Sequence, residues 1–146
     1  MDALDPGFWA SLASHPWVYP ALEALHLMGL GALFGSLLVL ELRLLGWGRQ
    51  LDVQGLVRLA VPLALAGFAV CLVTGAGMFA TQPWELWVNR AFRLKLLLIL
   101  LAGLNAAWFH WRRGAARADG LSRLQCLLSV GIWIAVIICG RWIAYA

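Results

Sequence analysis

The chain has 146 residues, of which 63% are hydrophobic and 12% charged, with a formal net charge of +4 and a mean hydropathy of +0.84. Soluble domains hold about 45–50% apolar and about 25% charged residues, and a chain this short keeps too much surface to hide such an excess. A water-soluble globule is therefore excluded, lipid is the expected solvent, and basic residues scattered among connections argue against nucleic acid as a partner.

The first residues hold Asp2 and Asp5 and no Lys or Arg. They lack the basic start of a cleaved signal. Phe8-Trp9-Ala10-Ser11-Leu12 reads as a short amphipathic turn in the interface. Four blocks then reach the roughly 20 apolar residues that a helix needs to cross hydrocarbon. They run from about Val18 to Leu45, Leu56 to Ala80, Ala91 to Trp111 and Leu124 to Tyr145. No period-2 alternation supports a strand barrel. The predicted fold class is all-α: one transmembrane domain over residues 1–146, a four-helix bundle. The short polar connections at 46–50, 82–85 and 112–120 predict antiparallel up-down-up-down neighbours.

Seven basic residues flank the first and third connections: Arg43, Arg49, Arg58, Arg112, Arg113, Arg117 and Arg123. The other four, Arg90, Arg93, Lys95 and Arg141, belong to the opposite side. Positive charge favours the cytoplasm, so both termini are expected outside. The aromatic residues fit two interfacial belts: Trp9, Trp17, Tyr19, Trp84, Trp87, Trp142 and Tyr145 outside, and Trp47, Trp108 and Trp111 inside. Gly31-x-x-x-Gly35 and Gly75-Ala76-Gly77 suggest points where helices approach closely. Cys71, Cys126 and Cys139 form no CxxC pair, so a disulfide scaffold or zinc ribbon is unsupported.

Ionisable groups inside a span invite a functional hypothesis. They fall into two layers. The outer layer holds Tyr19, Glu23 and His26, which share one helix face at i, i+4 and i+7. Cys71, Thr74 and Met78, Lys95, and Cys139 and Arg141 lie near the same level on the other spans. An ion-pair network, with Glu23 neutralising Lys95 or Arg141, would explain this layer without chemistry. Alternatively it forms a cofactor site of Tyr19, Glu23, His26, Lys95 and Arg141. His26 with Cys71, Met78 or Cys139 is a soft donor set suited to Cu(I). The inner layer holds Glu41, Arg43, Asn105 and His110, with Arg58 and Gln125 nearby. Glu41 and Arg43, two residues apart, do not face each other on a helix. A bis-histidine haem between His26 and His110 is excluded, because they differ in depth by about 18 Å at 1.5 Å per residue. A haem would need one His plus another donor or a second chain.

The stretches His26-Leu27-Met28-Gly29, Leu40 through Gly46, Asn89 through Lys95, Asn105 through His110 and Gly140 through Tyr145 carry a resemblance. Together they resemble a bacterial family of small four-span membrane proteins with no settled activity. More distantly, Thr74-Gly75 with Lys95 is similar to the membrane domain of the copper-resistance D group. That similarity implies the bacterial inner membrane and copper handling on the periplasmic side, although no Met-rich or His-rich loop is present for copper capture.

Three function classes follow. One is a membrane protein with a metal or redox-cofactor site, copper or haem, in the periplasmic half. The second is a b-type cytochrome or quinone-interacting subunit of an electron-transfer complex. The third is an assembly subunit holding other membrane subunits or a periplasmic partner in the bilayer. No hydrolase spacing is present.

Overall fold

The computed structural model describes residues 5–117 and 119–145; Asp2 lies outside them. Every described element is a helix: α1 Pro6–Ala13, α2 Val18–Leu44, α3 Val53–Thr81, α4 Pro83–Val88, α5 Arg90–Trp111, α6 Gly114–Arg117 and α7 Gly120–Trp142. Four of them, α2, α3, α5 and α7, are long and apolar enough to cross a membrane.

Local chemistry sets the boundaries. Asp52, Asn89 and Asp119 each accept hydrogen bonds from free amides in the first turn of α3, α5 and α7. Such caps stabilise helix starts that lack internal acceptors. They carry α3 three residues and α7 four residues upstream of the starts that hydropathy alone predicts. Asp5 caps α1 in the same way, with Pro6 at its first position. The predicted interfacial turn is thus a helix of its own. The second and third connections also hold helices, α4 and α6, rather than plain loops. The first connection turns through Gly46 and Gly48, at φ of 110° and 60°, where a side chain would be strained.

The long helices associate as α2 with α3 and α5 with α7, and α2 touches α7 across the seam. Partners along α2 and α3 run in opposite numerical order. His26 meets Thr74, Gly29 meets Gly67, and Leu40 and Leu44 cluster with Ala60. In the second pair Asn89 reaches Ile143, Lys95 lies against Gly140, and Arg112 reaches Ser122. Leu33, Ala64, Ala102, Trp133 and Val136 join both pairs in one buried cluster. The outward faces are apolar: Leu27, Leu59, Val73, Leu100 and Leu127 are all more than half exposed. Trp17, Trp84, Trp87, Trp142 and Tyr145 are exposed, as are Trp47, Trp108 and Trp111. That suits helices whose partner is lipid and whose ends anchor in an interface.

A close backbone approach is made at Gly29 and Gly67. A Cβ on Gly67 would lie 2.5 Å from the Gly29 carbonyl oxygen, and one on Gly29 would lie 2.8 Å from that of Gly67. At Gly31 and Gly35 an added Cβ meets nothing within 4 Å, so the expected GxxxG contact does not form here. At Gly75 the same Cβ would meet only the His26 ring at 3.6 Å, and at Gly77 the Leu22 side chain. Gly67→Ala should therefore destabilise the α2–α3 pair by about 1–3 kcal/mol, as overpacking does. Gly31→Ala should be close to neutral. Thermal unfolding of both variants in one detergent checks the contrast, and equal midpoints would contradict it.

Candidate functional site

The layer around His26 is built mainly by α2 and α3. His26 Nδ1 lies 2.9 Å from Thr74 Oγ1. The Thr74 hydroxyl donates its only hydrogen to the Val70 carbonyl at 2.7 Å, so Oγ1 accepts from His26. That network assigns the proton to Nδ1 and leaves Nε2 as an acceptor. Cys71 Sγ donates to the His26 carbonyl at 3.5 Å. From the second pair, Lys95 packs its amine against Gly140, 3.3 Å from where a Cβ would sit. Lys95 is close enough to His26, Cys71 and Cys139 to interact with each electrostatically. His26, Cys71, Thr74, Lys95 and Cys139 are thus neighbours.

Other members of that layer go elsewhere. Glu23 is exposed and influences Tyr19. Arg141 is exposed, donates to the Tyr145 hydroxyl at 3.1 Å and stands 5.4 Å from its ring centre. Met78 is half-buried, with its carbonyl occupied by the Thr81 hydroxyl. The expected pairing of Glu23 with Lys95 or Arg141 does not form: among the described residues the ion pair is Arg112–Asp119. Nor do three or more His, Cys, Asp or Glu side chains gather at metal-binding distance among those residues. His26, Cys71 and Cys139 share this layer without converging as a three-ligand group, and the Lys95 amine lies near them.

The second layer is richer. Glu41 is 7% exposed and accepts from Ser129 of α7. Arg43 turns away, donating to the Leu51 carbonyl at 2.8 Å and to that of Arg49 at 3.4 Å, which fastens the first connection. The two thus have separate partners, as their spacing requires. Asn105 Nδ2 donates to the Gln125 carbonyl at 3.0 Å. Arg112 donates from Nη1 to Ser122 Oγ and Gln125 Oε1, both at 3.1 Å, and from Nη2 to both Asp119 oxygens. Arg58 and His110 are exposed, and His110 sits edge-on to Phe109.

Between these groups and the buried cluster lies a cavity of about 530 Å³, lined from α2, α3, α5 and α7. Leu33, Leu37, Phe68 and Trp133 make an apolar body. Glu41, Asn105, His110, Gln125 and Ser129 make its polar lining. Its size and mixed lining match small-molecule sites, which run about 300–1,000 Å³. Gln125 is 1% exposed, and its Nε2 is a buried side-chain nitrogen with no hydrogen-bond partner. A buried donor left so typically costs about 1–3 kcal/mol.

Ser129, Ser122 and Asp119 are the residues that sequence reasoning passed over. A signal was present: Ser122, Gln125 and Ser129 stand at i, i+3 and i+7, a polar stripe on an apolar helix.

Two outcomes follow. Hydrogen bonds from the Ser122 amide and hydroxyl, and then Arg112, hold the Asp119 carboxyl down to about 2. The stabilisation is full above the unfolded value near ~4 and is lost as pH falls through about 2. Hydrogen exchange at residues 120–123 should accelerate across that window, and Asp119→Asn should be fast at all pH values. Arg112→Leu strips the Gln125 oxygen of its donor and should cost about 1–3 kcal/mol in thermal unfolding. No protein-family model matches the chain, and neither any curated protein nor any solved structure matches it.

Proposed function

We propose that this chain is a bacterial inner-membrane protein, one antiparallel up-down-up-down domain with both termini outside, that holds a quinone-class ligand between its two helix pairs. The reversed order of partners along each pair supports the antiparallel course. The arginines around the first and third connections support a cytoplasmic location for those ends. Membership of the small four-span family resembled by the sequence belongs to the same proposal.

One observation carries the ligand: the cavity of about 530 Å³, apolar along its body and polar at Glu41, Asn105, Gln125 and Ser129. An isoprenoid ring compound has the same division, with a flat carbonyl-bearing head and a hydrocarbon tail. Haem suits the cavity less well, because the lining offers one imidazole, His110, with Cys126 as its other nitrogen or sulfur ligand of the usual axial types. For copper handling, no group of three His, Cys, Asp or Glu ligands gathers among the described residues in support. A role beside an electron-transfer complex is compatible with a ligand that moves through the bilayer.

The test is saturable quenching of tryptophan fluorescence by a short-chain 1,4-benzoquinone, with the protein in lipid nanodiscs. Gly103 lines the cavity, and a Cβ there meets nothing within 4 Å. Gly103→Phe should fill the space and weaken saturable binding at least about tenfold, while circular dichroism stays helical; tenfold corresponds to about 1.4 kcal/mol. Quenching that never saturates, or that Gly103→Phe leaves unchanged, would defeat the assignment.

A further inference from the structure

Gln125 is the most confined polar side chain on the cavity wall, and its two ends are treated differently. Oε1 is fixed by Arg112 Nη1 at 3.1 Å. Arg112 is in turn fixed by Asp119 and Ser122. The guanidinium is a donor with no acceptor capacity, so it settles which end of the carboxamide is oxygen. Nε2 is then the end left over, buried and without a partner among the described residues. Asn105 donates its amide to the Gln125 backbone carbonyl at 3.0 Å, and its side-chain oxygen does not accept from Nε2. Hydrocarbon supplies no acceptor either.

We infer that Gln125 Nε2 is the recognition donor of the cavity, made to hydrogen-bond a carbonyl oxygen on the head of the bound amphiphile. The inference rests on the cavity being a ligand site, as proposed above, and adds which atom reads the ligand and where the head lies. The head sits at the Gln125 end, near Glu41 and Ser129. The tail runs along the apolar stretch past Leu33 and Trp133. A ligand without an acceptor oxygen leaves Nε2 as lonely as an empty cavity does, so such ligands are selected against. Two kinds of molecule carry the required oxygen in a bilayer, a quinone ring and an acyl ester, and the binding experiment separates them.

Gln125→Glu is the informative variant. It keeps the shape and the oxygen that Arg112 holds, and it replaces the donor with a second acceptor. Wild-type protein and Gln125→Glu are titrated in nanodiscs with a short-chain 1,4-benzoquinone, with a diacylglycerol, and with an alkylbenzene that has no oxygen. The expected result is at least a tenfold loss of benzoquinone affinity in the variant and no change for the alkylbenzene. Gln125→Met, which cannot donate or accept a strong hydrogen bond, should show the same selective loss and guards against an artefact of added charge. Benzoquinone binding that survives both variants overturns the donor role while leaving the cavity as a ligand site. Failure of every probe to bind the wild type overturns both. Loss confined to the diacylglycerol keeps the donor and replaces the quinone with a lipid ester.

Discussion

Hydrocarbon offers no hydrogen bonds, so a polar side chain placed within a span must find its partner inside the protein. Most of the arrangement between these helices follows from that requirement. His26 finds Thr74, and Thr74 turns back to the Val70 carbonyl. Ser36 bonds the Ala32 carbonyl one turn earlier. Asn105 takes the Gln125 carbonyl, and Glu41 takes Ser129. Gln125 Nε2 stands out because everything around it has already been answered.

The two helix pairs are joined by different means. α2 and α3 meet backbone to backbone at Gly29 and Gly67, where the absence of a side chain permits close van der Waals contact. α5 and α7 are cross-linked by polar side chains along their whole length: Asn89 to Ile143 at one end, Asn105 to Gln125 within, and Arg112 to Ser122 and Gln125 at the other. Each pair is thereby well fastened internally. Across the seam between pairs lies an apolar buried cluster, Leu33 and Trp133 among its members, and the space beside it is the cavity.

Span number and approximate extent were legible because run length and hydropathy report them directly. Their starts were less so: Asp52 and Asp119 extend α3 and α7 beyond the apolar runs, and a cap is a local polar event that hydropathy averages away. His26, Cys71, Lys95 and Cys139, grouped by depth because depth is a count of residues, lie near one another in the structure. Rotation about the helix axis was not legible. The polar stripe of Tyr19, Glu23 and His26 on α2 is a poor guide, because only His26 among them turns to α3 while Glu23 is exposed. That is why Gly31 and Gly35 were expected to make the close approach that Gly29 makes, and why Glu23 looked able to reach Lys95. On α7 the stripe of Ser122, Gln125 and Ser129 did exist, and two of its members, Gln125 and Ser129, line the cavity.

The pairs also differ in reach. α2 and α3 have 27 and 29 residues, and α5 and α7 have 22 and 23. At 1.5 Å per residue these are helices of about 40 and 44 Å against about 33 and 35 Å. A hydrocarbon slab about 30 Å thick nearly matches the shorter pair and is well exceeded by the longer one, which must lean or protrude. Thinner or thicker lipid would therefore tilt one half of the molecule more than the other, and the seam between them is where that shear is felt.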